Sequence, residues 1–231
     1  MIYLHELVNT VPGRSEDYLD SMAGFHHDNA APGGDRDGIL GLFTVVEATG
    51  TWPLGVNIWQ KTGWQGQSDA LERQFKPRKQ DPGLKQWWLT NLHLRTGGFD
   101  RILESTDYSR DVAGLRAADV GGKLFLQQIV RIAPGKVEDY LDAFGQEGVP
   151  AIAAAGGQLV GAYRVRLSNQ EAITLLAFRE AADFAGYLEE WHASGEGSAL
   201  RRWRAREDAW VRSKESLVMK PRHYLGAPWG G

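Results

Sequence analysis

A stretch of nineteen residues occurs twice in this chain, and the repeat constrains the fold more than any other feature. IYLHELVNTVPGRSEDYLD from Ile2 aligns without a gap on LFLQQIVRIAPGKVEDYLD from Leu124, an offset of 122, with nine of the nineteen positions identical. The identities include Pro12/Pro134, Gly13/Gly135, Glu16/Glu138, Asp17/Asp139 and Tyr18/Tyr140. In each copy an apolar run reads as a strand, Pro-Gly breaks it in a tight turn, and the acidic pair favours the positive end of the helix that follows. One strand–turn–helix unit is written twice, which predicts a duplicated supersecondary unit.

The remaining elements follow in the same order in both copies. Gly33-Gly34 and Gly156-Gly157 precede second strands, ILGLFTVVEAT from Ile39 and QLVGAYRVRL from Gln158. Turns then lead into LGVNIWQ from Leu54 and AITLLAFR from Ala172, so strands two and three predict a hairpin in each copy. Two helical segments come next, SDALERQF with DPGLKQWWLTNLHLR and ADFAGYLEEWHAS with SALRRWRAREDAWVRSKESL. Asp81-Pro82 and Ser198 mark helix starts. Short closing strands are expected near Arg101 to Glu104 and Leu217 to Lys220.

This order predicts an α+β chain of tandem ferredoxin-like βαββαβ repeats with an extra helix in each. The first repeat is read at 1–110, a polar linker at 111–122 and the second repeat at 123–231. Helices cover only one face of such a four-stranded sheet, so the other face needs a partner. Two copies in one chain can supply it, which predicts an intrachain, pseudo-dimeric α+β barrel. The two-repeat chain could further pair as a homodimer.

Composition narrows the function. A formal charge of -3 gives no general attraction to polyanions, so neither nucleic acid nor an anionic membrane is an expected partner. The arginines at 201, 202, 204, 206 and 212 are interrupted by Glu207 and Asp208 and read as a solvated helical face. The absence of cysteine removes disulfides, thiol catalysis and thiolate metal sites. No apolar run is long enough to span a bilayer, and the first residues read as a strand, which predicts a cytoplasmic protein. Neither a P-loop nor a GxGxxG, HExxH or GxSxG motif occurs, so no nucleotide, metal or other cofactor is expected. A small organic ligand remains as the expected partner.

The strand ending in Pro-Gly-Lys/Arg, the acidic helix with its tyrosine, the aromatic-ended third strand (Trp59, Phe178), the Trp-rich second helical block and the closing LESTDYSR from Leu103 resemble the NIPSNAP family. That family lies within the dimeric α+β barrel superfamily, and the resemblance covers nearly the whole chain. It implies relatives that act as cofactor-independent monooxygenases, polyketide cyclases, small-lactone isomerases or haem-handling proteins. No catalytic motif carries over residue by residue, so function must be argued from the site.

Candidate residues come from contrasts between the copies. His26 continues the helical stripe of Leu19 and Met22, and its counterpart is Gly148; an imidazole near neutral pH can accept a proton, so His26 is the expected general base. The competing account is a hydrogen-bonded structural histidine. His27 and Asp28 beside it suggest a metal, but neighbouring helical side chains diverge by about 100°, so no metal site is expected. His5, opposite Gln127, is a second catalytic candidate, and Glu6, opposite Gln128, is expected in an ion pair. Successive strand residues face opposite sides, and the sequence does not say which of the two faces the helices. Tyr18, Trp59 and Trp88 are expected as substrate-binding walls, with core packing as the alternative. Glu207 lies on the stripe Leu200, Trp203, Glu207, Trp210 as a pocket carboxylate or the partner of a nearby arginine. The expected function is a small-molecule enzyme of oxygenase, cyclase or isomerase type acting on an apolar, aromatic or polyketide-like substrate at a site in copy one. A non-catalytic ligand or haem carrier, and a scaffold with only a packed core, are the alternatives.

Overall fold

The computed structural model describes residues 1–29, 38–75, 82–195, 197–225 and 227–228. Gly33-Gly34 and Asp81 lie outside the described residues, as do the side chains of His27 and Asp28. The first half contains β1 (Ile2–Thr10), α1 (Ser15–Asn29), β2 (Gly38–Ala48), β3 (Leu54–Lys61), α2 (Gly63–Phe75), α3 (Pro82–Asn91), a single 3-10 turn and β4 (Arg95–Ser105). After α4 (Val112–Ala117), the second half contains β5 (Leu124–Ile132), α5 (Val137–Ala143), a π-helical turn (Phe144–Gly148), α6 (Val149–Ala154), β6 (Gln158–Val165), β7 (Glu171–Phe178), α7 (Ala181–His192), α8 (Ala199–Glu207) and β8 (Val211–Tyr224). The chain is therefore mixed α and β, with antiparallel pairing throughout the registers that follow. The segment read as a linker carries α4, whose first turn is capped by Asp111 accepting from Gly114 N at 2.7 Å.

Two compact units divide the chain: Met1–Val45, Thr51–Ile102 and Pro221–Gly231 form the first, Val46–Gly50 and Leu103–Lys220 the second. Three strands, β2, β4 and β8, each supply residues to both.

In the first unit the strands run β2-β3-β1-β4. β1 and β3 pair with Leu4 opposite Trp59, His5 opposite Ile58 and Glu6 opposite Asn57. Alternation along β1 sends Leu4, Glu6 and Val8 to the face covered by α1, where Val8 packs with Tyr18, Leu19, Met22, Trp59 and Trp87. Tyr3, His5 and Leu7 point to the opposite face and are buried as well. In the second unit the order is β4-β6-β7-β5-β8, with the tail of β4 pairing β6 at Leu103 opposite Val165. Tyr140, Leu141, Phe144, Tyr187, Leu200 and Trp203 form the core between sheet and helices. Tyr18 and Trp87 stand 6.1 Å apart, and Tyr140 and Trp203 stand 6.0 Å apart, so the same tyrosine–tryptophan pair pins the first helix in each unit. Such a pair adds about 0.5–1.5 kcal/mol beyond area burial.

The second strands share an irregularity. The β2–β3 register shifts between Ile39 and Gly41, and the β6–β7 register shifts between Leu159 and Gly161. In each case a Cβ on the glycine would overlap the ring two residues on, Phe43 or Tyr163, so the aromatic lies over a bare backbone.

Two expectations need correction. The closing strands are much longer than predicted: β4 begins at Arg95 and β8 at Val211, where the sequence reading continued the helix to Leu217. The Arg/Lys/Glu-rich run after Glu207 favours helix locally, but pairing of β8 with β5, from Ile132 opposite Val211 to Phe125 opposite Met219, overrides that propensity.

Candidate functional site

Glu6 is the centre of a polar cluster in the first unit. Its Oε2 accepts from Trp59 Nε1 at 2.7 Å and from Asn57 Nδ2 at 3.0 Å, and Asn57 Nδ2 also donates to the Tyr18 hydroxyl at 3.3 Å. Sheet register creates this arrangement: Asn57 is the direct cross-strand partner of Glu6, and Trp59 is its diagonal neighbour on the same face. Glu6 was expected in an ion pair, and the structure corrects this to two neutral donors. Burial pushes its carboxyl above the usual range, while the bonds from Trp59 and Asn57 pull the other way. Burial, reinforced by the nearby Glu6 charge, also pushes the Tyr18 phenol up.

Aromatic rings extend the cluster. The His26 ring lies 5.2 Å from that of Trp59. Trp87 meets Phe25 at 5.8 Å and Trp88 at 5.1 Å, edge-on to the latter. Trp87 Nε1 donates to the Ser21 carbonyl and hydroxyl at 3.0 and 2.9 Å, which fixes α3 against α1. The Arg95 guanidinium stacks 3.3 Å from the Trp88 ring centre. Asp100, on the same strand as Arg95, has its carboxyl pushed up by burial, and the Arg95 charge opposes that rise.

The structure thus brings His26, Tyr18, Trp59 and Trp88 into one unit and adds Glu6, Asn57 and Arg95 to them. His5 is fully buried on the opposite face of β1, so one face of the sheet does not present both histidines. Gly148, the counterpart of His26, is closed in by the Phe144 and Trp203 rings, which leaves no room for a side chain there. His93, expected to be exposed, is so. Among the described residues no group of three or more His, Cys, Asp or Glu side chains is placed to hold a metal.

Glu207 lies in the second unit. It is 3% exposed, and its Oε1 accepts from Lys214 Nζ at 2.6 Å, so the ion-pair partner is a lysine of β8 and not the expected arginine. Burial raises its carboxyl above the usual range, with Lys214 pulling it down. Lys214 in turn lies over the Trp191 ring at 4.7 Å and lines a pocket of about 340 Å³. The floor of that pocket is β5 and β8, through Leu126, Gln128, Ser216 and Val218. One wall is α7, through Phe184, Tyr187, Trp191 and His192, and the tail of β2 adds Glu47 to Thr49.

Sequence reasoning missed Asn57, Arg95 and Lys214. Asn57 carried a readable signal, a polar residue within an apolar third strand. Lys214 carried none, because its segment was assigned to a helix.

Helices packed on one face of an antiparallel sheet define an α+β class. Residues 129–225 match the NIPSNAP family model, and the chain is NIPSNAP-like over that segment. No curated protein matches the chain in sequence. Among solved structures, an anthrone oxidase-like protein superposes with a TM-score of 0.64 at 13% identity, covering 96% of this chain and 91% of its own. A proposed monooxygenase from Fusobacterium nucleatum gives 0.59 at 11% identity, covering 100% and 95%. A proposed monooxygenase from Lactobacillus acidophilus gives 0.58 at 11% identity, covering 99% and 97%. These likenesses establish a shared fold. No described helix is long and apolar enough to cross a membrane.

Proposed function

We propose that this protein is a cofactor-independent small-molecule enzyme, of oxygenase, cyclase or isomerase kind, whose chemistry starts with removal of a proton from an apolar aromatic or polyketide-like substrate. The observation that carries the reading is Trp59, which holds the buried Glu6 carboxyl through its indole N–H and places its ring beside His26. His26 is the proton acceptor, Glu6 is a buried carboxyl that shapes the field around it, and Tyr18, Trp59 and Trp88 are the aromatic walls. His5, across the sheet, is left with a structural role. The architecture belongs to the same reading: two copies of one ferredoxin-like unit in an intrachain pseudo-dimeric barrel, supported by the offset of 122 and the common order of elements.

The fold shared with an anthrone oxidase-like protein suggests the first reaction to try. Anthrone gives up a proton from its ring CH₂ to His26, the carbanion passes electrons to O₂, and the adduct loses water. One oxygen atom stays as the new carbonyl, and the other leaves as water with the two hydrogens of the CH₂. Fixing the acidic C–H beside a positioned base lowers the barrier to the first step.

Oxygen uptake and anthraquinone formation with anthrone test this. The wild-type protein should exceed the uncatalysed rate, and His26→Ala should lose on the order of a hundredfold. A His26→Ala protein that melts several degrees lower yet turns over normally would reduce His26 to a structural residue.

A further inference from the structure

The unit-2 pocket shares no residue with the Glu6 cluster, and nothing in the proposed reaction uses it. Its floor contains Gln128, which occupies the repeat position of Glu6. Gln128 is 7% exposed and lines the cavity, where it is the uncharged polar side chain of the floor beside Ser216. A side-chain amide has both donors and an acceptor, so at the pocket wall it can pair with a hydroxyl or carbonyl oxygen of a ligand.

We propose that this pocket is a second binding site, for an uncharged, flat, two- or three-ring aromatic compound that carries a hydroxyl or carbonyl oxygen. Shape and surface argue for the flat rings. Tyr187 and Trp191 stack at 5.8 Å with an interplanar angle of 26°, and together with Phe184 they present an aromatic wall opposite the apolar Leu126 and Val218. A volume of about 340 Å³ accommodates such a ring system.

Charge argues for neutrality. The Lys214 ammonium is already committed to Glu207 at 2.6 Å, so it does not call for a second anion. Glu47, an exposed acid in the lining, repels one. The oxygen of the ligand meets Gln128, with the Ser216 hydroxyl two residues along β8 from Lys214 as a further polar group.

The two repeats therefore differ by design at equivalent places. Copy one has a titratable carboxyl and an imidazole, whereas copy two has an amide and, at Gly148, no side chain. The pocket can hold an aromatic compound without the acid–base pair of the first unit.

Isothermal titration of the full chain with 2-naphthol, naphthalene and 2-naphthoate tests the assignment. 2-Naphthol should bind at least tenfold more tightly than either of the others. Gln128→Leu should remove most of the preference for 2-naphthol over naphthalene, Trp191→Ala should weaken all binding about tenfold, and Glu6→Gln should leave it unchanged. Absence of 2-naphthol binding to the wild-type protein, equal binding of naphthalene, or tighter binding of 2-naphthoate would overturn the proposal. So would loss of binding in Glu6→Gln with Gln128→Leu and Trp191→Ala unaffected, which would move the ligand to the first unit. A failed anthrone assay with these titrations intact would sink the proposed reaction alone.

Discussion

Trp59 Nε1 donates a 2.7 Å hydrogen bond to Glu6 Oε2, so a buried carboxyl is held by a neutral donor instead of a cation. This fixes how stability should vary with pH. Burial raises the folded-state pKa of Glu6 above its ordinary value of 4.5, so the folded protein holds that proton more tightly than the unfolded chain. The stabilisation from Glu6 is complete below the unfolded pKa and is lost as pH rises through the folded one. Glu6→Gln keeps an oxygen for Trp59 and Asn57 and removes this loss. Its stability in urea should match the wild type in acid and exceed it above the folded pKa; a constant difference across that window would contradict the account.

Trp59→Phe separates the two roles of the indole. The ring beside His26 is retained, whereas the carboxyl loses its shorter hydrogen bond. The variant should be destabilised by about 1–3 kcal/mol at neutral pH, and less in acid where Glu6 is protonated. Denaturant midpoints at the two pH values check it.

Lys214→Met strands a carboxylate. Glu207 is 4% exposed at its side chain and Lys214 is 16% exposed, so removing the cation leaves a buried charge uncompensated. The cost should be about 3 kcal/mol at mildly alkaline pH. It should shrink as pH falls, because Glu207, whose pKa burial already raises, takes up a proton. The double variant Lys214→Met/Glu207→Leu should recover much of the loss in thermal unfolding; if it does not, packing by the lysine stem is the larger effect.

Gly161→Ala tests the irregular register of β6. The added methyl would overlap the Tyr163 ring, which is itself fully buried. Overpacking of this kind costs about 1–3 kcal/mol. Gly41→Ala, over Phe43, should behave alike, and Gly186→Ala, where nothing lies near the new Cβ, serves as the control in the same melting series.

Much of this fold is legible in the sequence because the signals are local. Pro-Gly, the acidic first turn and the apolar stripe on α1 specify strand, turn and helix without reference to the rest of the chain. β4 and β8 are not legible in this way, because their strand conformation comes from pairing with distant residues while Arg, Lys and Glu favour helix locally. The orientation of β1 is hidden for a different reason. Both of its faces carry apolar side chains, so there is no polar–apolar alternation to tell His5 from Glu6. His26 could be singled out by comparing copies, and so could Glu6, but Asn57 and Trp59 become its partners only once the register of β3 is known. Lys214 could not be linked to Glu207 while both were read on one helix, although β8 brings them within 2.6 Å.

The first unit is completed by residues far along the chain from most of its strands. Arg222 donates from Nε to Asp20 Oδ1 at 2.6 Å, and Leu225 N donates to the Leu40 carbonyl at 2.9 Å, both joining positions about two hundred residues apart. The second unit likewise recruits Thr49, whose N–H reaches the Ser216 carbonyl at 3.0 Å. Loops that long close slowly. During translation the first unit therefore cannot close before β8 has emerged, and strand edges that β8 later covers stay open to other chains in that interval.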